Sequence, residues 1–415
     1  MQTQLVKKTT IIDSGDFNLS AARYLEKVEI NSSFDLIKMS DLDIEYFKGI
    51  NVKNKNPENG KFRLIPSGAN FPDKLIKNKC KYFDDISDKA LEKKLILNDI
   101  LFNTGGQGTL GRVGIYNDDS FESFTDGFIL TIRNKDNNLN SKYLFWVLQS
   151  NEIKNEIIKF TRGATGITSI KTDDILNFEF PLPPLEIQEQ IVKEIEGYQQ
   201  IIDGCRQVVE YYKPVIDIDP SWEMVELEKL SSITSGYSFG SKDFKQQNGI
   251  KSIKITNVGL GDFVDELDYL PMHFKEKYSN FLVKENYIVV ALTRTIISGG
   301  VKVAIVPKSF DDSLLNQRVA SIRCDSKVMT NYIFTILQSK NFYSFVENNA
   351  TAINQPNLSI NDLKRYNIPL PPETDLVNVI SKIDKERKVI EGNKELIKIY
   401  EKKINALINK VWSDN

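Results

Sequence analysis

The chain is poor in the residues that carry out chemistry. Its 415 residues include one histidine, His273, and three cysteines. A single histidine leaves no Ser-His or Cys-His pair to build a nucleophilic site around, and its default role is structural. Cys80, Cys205 and Cys324 are far apart and form no Cys-x-x-Cys pair. Neither a disulfide framework nor a zinc site is therefore expected, and a reducing compartment fits best. No apolar run approaches the roughly 18 residues of a membrane span, and the N-terminal stretch has no signal-peptide h-region. The expectation is a cytoplasmic protein with no membrane partner. Phosphate-loop and His-Glu-x-x-His motifs are absent, as is a glycine-rich fingerprint followed by a methyltransferase-type Asn/Asp-Pro-Pro-aromatic motif. Thr104-Gly-Gly-Gln-Gly-Thr109 resembles a phosphate-cradling loop but lacks the lysine and the following helix. No acidic pair has a spacing that demands metal. Catalysis by this chain alone is not expected.

Charge of either sign is also missing as a net quantity: 54 Lys and Arg against 56 Asp and Glu leave −2. There is no global electrostatic footprint for nucleic acid. Local clusters matter more, because a basic face on a near-neutral body still attracts phosphates. Lys74, Lys77, Lys79 and Lys81 form one cluster, and Lys242, Lys245, Lys251 and Lys254 another. Solvated strand faces explain them equally well. With 41% hydrophobic and 27% charged residues, the composition is that of an ordinary globular protein with room for two to three cores.

What is present is a duplication. Pro181-Leu-Pro-Pro184 returns as Pro369-Leu-Pro-Pro372, and each copy precedes a long helical pattern. Tyr143-Leu-Phe-Trp-Val-Leu-Gln-Ser150 returns as Tyr332-Ile-Phe-Thr-Ile-Leu-Gln-Ser339, and Thr131-Ile-Arg133 as Ser321-Ile-Arg323. Phe34-Asp-Leu-Ile-Lys-Met-Ser-Asp-Leu42 matches Trp222-Glu-Met-Val-Glu-Leu-Glu-Lys-Leu230. A repeat this long is a duplicated domain rather than a solenoid unit of about 20–50 residues. The stretches between the matching blocks have diverged, so one scaffold carries two different surfaces.

Each copy reads as short strands broken by turns, with period-2 alternation in Gly249-Ile-Lys-Ser-Ile-Lys-Ile255. A helix follows, over 143–160 and again over 331–347, then a polar loop and the proline stop. The fold class is α+β: two mixed α/β domains separated by long helices that carry a coiled-coil seam. In the first long helix Ile191, Ile195, Tyr198, Ile202, Cys205, Val209 and Tyr212 recur in steps of four and three. In the second, Ile383, Ile390, Ile397, Ile404 and Val411 step by seven, with Leu376, Ile380, Leu407 and Ile408 beside them. This pattern predicts that the stripe is core and that the two helices pack on each other. The expected segments are a lead-in over 1–33, a first domain over 34–180, a first helix over 181–213, a linker over 214–221, a second domain over 222–368 and a second helix over 369–415.

Pro181-Leu-Pro-Pro-Leu-Glu-Ile-Gln-Glu-Gln-Ile191 resembles the helix start of the specificity subunits of type I restriction–modification enzymes, and the duplicated architecture is similar to that family over residues 34–412. The second copy departs from the motif, with Val377-Asn378 where Glu189-Gln190 would align. Asp16-Phe-Asn-Leu-Ser-Ala-Ala-Arg-Tyr-Leu25 looks like a segment of the modification subunits, although an ordinary extended lead-in is an equal reading. The resemblance implies a non-catalytic subunit in which each domain reads one half of a split sequence on double-stranded DNA. It implies that the long helices form an antiparallel coiled coil that sets the spacer and docks two methyltransferase subunits, with motor-nuclease subunits joining for cleavage. S-adenosylmethionine, ATP and Mg would bind the partners, and no cofactor this chain. Two other readings stay open: the recognition half of a split or fused restriction–methyltransferase, and a coiled-coil scaffold that binds only proteins.

Side chains that read bases reach groove edges, whereas Lys and Arg hold phosphates. On that basis the first-domain candidates are Lys77, Lys79, Thr104, Gln107, Arg112, Arg162 and Thr165. The second-domain candidates are Arg294, Thr295, Ser298, Asn354 and Gln355, at matching repeat positions. Turn-forming or solvent-facing polar groups are the alternative role for each.

Overall fold

The computed structural model describes residues 32, 34–56, 58–72, 74–106, 108–161, 168–212, 215–244, 247–297, 300–349 and 357–412. They divide into two compact units. One holds the described residues of Met1–Arg206 and Glu395–Asn415, the other those of Gln207–Lys394. Both long helices are therefore shared between units, which a division into linear segments does not capture.

In the first unit a four-stranded antiparallel sheet runs in the order β2 (Ile44–Lys48), β8 (Ile129–Asn134), β5 (Ile100–Asn103), β6 (Val113–Ile115). All four residues of β5 are buried, as its apolar run between two partners requires. Ile100, Phe102, Leu130 and Ile132 pack there against Tyr143, Leu144 and Val147. A second sheet has the order β4 (Lys81–Phe83), β3 (Phe62–Ile65), β7 (Ser123–Thr125), with β3 and β7 parallel. β1 (Leu36–Lys38) closes the domain by pairing with β9 (Glu179–Pro181).

The second unit repeats this plan. β10 (Glu223–Glu226) pairs with β21 (Asn367–Leu370). One sheet has the order β11 (Ser232–Ser235), β20 (Val319–Arg323), β15 (Ile288–Ala291), β18 (Val303–Ile305). The other has β13 (Tyr269–Leu270), β12 (Ile250–Ile253), β19 (Ser313–Leu315), β14 (Leu282–Val283), again with one parallel pair, β12 with β19. β16 (Ile296–Ile297) and β17 (Gly300–Val301) form a small hairpin. The duplication reaches single atoms. Tyr143 Oη donates to Pro181 O at 2.7 Å, and Tyr332 Oη donates to Pro369 O.

Two sequence expectations need correction. The helix expected over 143–160 is two helices, Ser141–Val147 and Asn151–Phe160, and its repeat is also two, Lys327–Ile336 and Lys340–Asn349. Serine makes the break: Ser150 Oγ accepts from Ile153 N–H at 3.2 Å and Ser339 Oγ from Phe342 N–H at 3.3 Å, so each begins a new helix as its N-cap.

The second correction concerns the apolar stripe. The first long helix is Leu185–Tyr211 and the second is Glu373–Trp412, whose 40 residues span about 60 Å. Inside the first unit they do meet. Ile195, Ile202, Ile404 and Ile408 form one buried cluster flanked by Tyr198, Ile397, Tyr400 and Leu407, and Arg206 pairs with Glu401 at 3.0 Å. The ends of the stripe go elsewhere. Leu376, Ile380 and Ile383 complete the second domain's core, and Val411 and Trp412 the first domain's. A periodic stripe reports that a face is buried, not what buries it.

In the first turn of the first long helix, the buried residue is Gln188. It accepts from Asn140 N–H at 2.8 Å and donates to Asn138 O at 2.8 Å and Pro183 O at 2.7 Å. Leu376 fills the matching position in the second copy, with its N–H donated to Pro372 O at 2.9 Å.

Candidate functional site

The diverged loops of each domain are anchored on one shared turn, the connection from β7 to β8 and from β19 to β20. In the first domain Asp126 N–H donates to Ile65 O at 3.0 Å and Ile129 N–H to Asp126 O at 3.0 Å. In the second, Asn316 N–H donates to Ile253 O and Val319 N–H to Asn316 O, both at 3.0 Å. A neighbouring chain segment lies flush on the turn in both copies. It can do so because Gly49 and Gly236 have no side chain: a Cβ would run into the carbonyl oxygens of Asp126 and Asn316 respectively. The loop after the central strand is stitched to the same turn. Thr104 N–H donates to Phe128 O at 2.8 Å, and Leu292 N–H to Arg318 O at 2.8 Å.

On this common frame the side chains differ. The first domain presents Asp126, Gly127 and Phe128, the second Asn316, Gln317 and Arg318. Phe128 is 57% exposed, and Gln317 and Arg318 are exposed too. Asp126 is held as a strut, accepting from Phe128 N–H at 3.0 Å and Ser67 N–H at 3.3 Å. Burial pushes its carboxyl above the ordinary carboxylate range against these bonds and the nearby Lys55 and Lys81. Sequence reasoning missed this turn. The available signal was the matched Thr131-Ile-Arg133 and Ser321-Ile-Arg323, which sets Phe128 opposite Arg318 a few residues upstream.

The structure sorts the sequence-derived candidates. Gln107, Arg162, Thr165, Ser298, Asn354, Gln355 and the segment 16–25 lie outside the described residues. Lys79 and Arg112 come together on Phe71, their cationic groups 5.7 Å and 3.9 Å from the ring centre. Arg112 also donates to Asn70 O at 3.3 Å and Gly108 O at 3.0 Å, so its guanidinium fastens the glycine-rich loop. Lys77 is 64% exposed and pairs with Asp118 at 2.9 Å. Thr104 is a correction: it is buried, and its hydroxyl donates inward to Phe128 O at 3.0 Å. Thr295 is another, with no exposed surface at all. Its place is set by the strand pairing around it, since Lys302 N–H donates to Thr295 O at 2.8 Å.

Arg294 is exposed and stands at φ +50°, a left-handed conformation that costs a side-chain-bearing residue about 1 kcal/mol or more. Asn357 holds it there, accepting its N–H at 3.2 Å. Lys302 lies nearby with its ammonium donated to Ile255 O, and burial followed by the field of Arg294 lowers its pKa below the ordinary lysine value. The arrangement offers exposed donors and an exposed ring on rigid main chain. Among the described residues no group of three or more His, Cys, Asp or Glu could hold a metal ion. None of the described helices is long and apolar enough to cross a membrane.

Comparisons with known proteins bear on what this frame is. The model of the type I restriction modification DNA specificity domain matches twice, over residues 45–210 and 220–400. The MjaVIII specificity subunit of a type I restriction enzyme from Methanocaldococcus jannaschii is 28% identical over 355 residues, which is 77% of this chain and 80% of that one. The EcoAI specificity subunit from Escherichia coli is 29% identical over 185 residues, 44% of this chain and 31% of that one. A solved chain from work on complex assembly and conformational transition of the type I R-M system superposes with a TM-score of 0.51. It is 15% identical and covers 93% of this chain and 99% of its own length.

Proposed function

The chain belongs to the type I restriction modification DNA specificity domain family, and on that premise we propose that it is the DNA-recognition subunit of a type I restriction–modification complex. It catalyses nothing itself. Each domain reads one half of a bipartite target. The observation that carries this reading is the shared turn: the same main-chain bonds to the strand, across the turn and to the loop in both copies, with different exposed side chains mounted on it. Two half-sites of unrelated sequence ask for a constant frame and a variable edge.

The long helices set the unspecified gap between the half-sites and dock two methyltransferase subunits. Apolar residues left exposed along them support a protein partner: Ile201 and Val208 on the first helix, Val389 and Leu396 on the second. Those subunits bring S-adenosylmethionine and methylate adenine N6, and motor-nuclease subunits bring ATP and Mg. The complex works in the cytoplasm, where the DNA is.

The test is long-read mapping of N6-methyladenine in a host that expresses the chain with its modification subunit. A split motif, two short specified halves around a fixed gap, is the expected result. A continuous motif would leave only one domain reading DNA, and no new methylation by a stable purified complex would overturn the reading.

A further inference from the structure

We propose that the turn 316–318 is the base-reading edge of the second domain, with Arg318 and Gln317 as the side chains that tell base pairs apart. At the same turn, Phe128 gives the first domain an apolar contact instead. The inference rests on the recognition function above and goes on to locate the readers.

A reader has to be rigid, because a side chain mounted on a mobile loop loses discrimination to its own disorder. This turn is pinned at every residue. Gln317 N–H donates to Tyr237 O at 2.9 Å, Leu292 N–H to Arg318 O at 2.8 Å, and Asn316 bonds on both sides as described. The main chain is spent on the fold, and the side chains are not. Both point to solvent, and among the described residues neither forms an ion pair or side-chain hydrogen bond. Several other arginines are occupied: Arg63 by Asp118 at 2.9 Å, Arg133 by Asp99 at 2.8 Å, and Arg112 by Phe71 and two carbonyl oxygens.

The chemistry of the pair suits the major groove. A guanidinium donates two parallel bonds to guanine O6 and N7, and a carboxamide both donates to and accepts from adenine N7 and N6. Phe128 can make neither contact. An exposed ring at a groove edge packs on a thymine methyl or wedges into a base step. The turn therefore differs between the copies in the property that would make two half-sites differ in sequence. The bond from Leu292 to Arg318 also ties the turn to the loop that carries the exposed Arg294.

The experiment compares methylation motifs of the full chain in complex with its modification subunits, for the wild type, Arg318→Ala, Gln317→Ala and Phe128→Ala. Arg318→Ala and Gln317→Ala should each relax one base position in the same half-site, with preference there falling about 5- to 150-fold. Phe128→Ala should relax the other half-site only. A wild-type split motif that all three variants reproduce in full would overturn the proposal while leaving the recognition function standing. Uniform weakening with an unchanged motif would also overturn it, because it would mark Arg318 as a phosphate contact. If Arg318→Ala abolishes methylation, binding of the complex at low salt to duplexes altered one base pair at a time decides. Discrimination lost at one position supports the proposal, and discrimination kept at all of them overturns it. No methylation by a stable wild-type complex would remove the recognition function and the proposal together.

Discussion

The same corner of the two domains is open in one and filled in the other. In the first domain, Ile50, Val52, Phe83, Ile86 and Ala90 floor a groove of about 620 Å³ rimmed by Asn51, Lys53, Asn54 and Lys55. In the second, the segments in those places supply Tyr237, Phe239, Leu270, Phe274 and Tyr278. Their rings touch one another: Tyr237 and Tyr278 centre to centre at 4.5 Å, Phe274 and Tyr278 at 4.9 Å, Phe239 and Tyr278 at 5.3 Å. Yet the parallel bridge beneath, Ile50 to Asp126 and Tyr237 to Asn316, is unchanged. The difference teaches that main-chain bonding holds this scaffold, while side-chain volume at its edge is free to vary.

The contrast can be broken most directly by removing the rings. Phe274→Ala should cost the second domain about 3–5 kcal/mol, the usual toll of an aromatic deletion in a packed site. Ile86→Ala, beside an already open groove, should cost the first about 1 kcal/mol because little contact is lost. Denaturant unfolding of the full chain, with hydrogen exchange read on β12 and on β3, separates the two. Equal losses would mean that the groove is as well packed as the ring cluster.

A second contrast lies one strand position away. Arg63 is nearly inaccessible and bonded to Asp118 and to Ser123 Oγ, both at 2.9 Å. The matching Lys251 donates to Ser309 O at 2.7 Å and rests 4.6 Å from the Phe310 ring centre. Asp118→Asn strands a buried cation and should cost about 3 kcal/mol, whereas Lys251→Met should cost about 0.5 kcal/mol or less. The Ser120 hydroxyl above all holds the Asp118 carboxyl well below the ordinary carboxylate range; burial pushes the other way, and Lys77 and Arg63 add to the lowering. A depressed folded-state pKa stabilises above about pH 4 and loses that contribution as the pH falls through the folded value. The first domain of Asp118→Asn should therefore melt with less dependence on acid than the wild type between pH 5 and pH 2. A parallel pair of melting curves would contradict this.

How much of this was legible in the sequence depends on which link of the chain is asked about. The duplication, the fully apolar strands and the helix starts after Pro-Leu-Pro-Pro were readable because each is a local pattern. The break at Ser150 was locally encoded as well, but the apolar periodicity runs straight across it. Nothing local says that Leu376 and Ile383 cover a domain while Ile404 and Ile408 meet the other helix. The turn was harder still. Its frame joins residues near 49, 65, 104 and 126, and only folding shows that Arg112 is occupied while Arg318 stands exposed. Residue type suggested readers, but reading needs accessibility, which is a property of the fold.

The smallest effect tests that last distinction with two threonines. Thr104 and Thr295 lie in corresponding loops, and both are buried. Thr104 Oγ1 has a partner, Phe128 O at 3.0 Å, whereas Thr295 Oγ1 has no hydrogen-bond partner among the described residues. Valine keeps the branched shape and removes the hydroxyl. Thr104→Val should lose about 1 kcal/mol, the net worth of a made hydrogen bond. Thr295→Val should be neutral or gain up to about 1 kcal/mol, because an unsatisfied polar atom leaves the interior. Since neither hydroxyl faces solvent, both variants should keep the wild-type methylation motif. A motif change in Thr295→Val alone would mean that this hydroxyl is unpaired because its partner is DNA, and it would move the reading edge of the second domain from the turn into the loop.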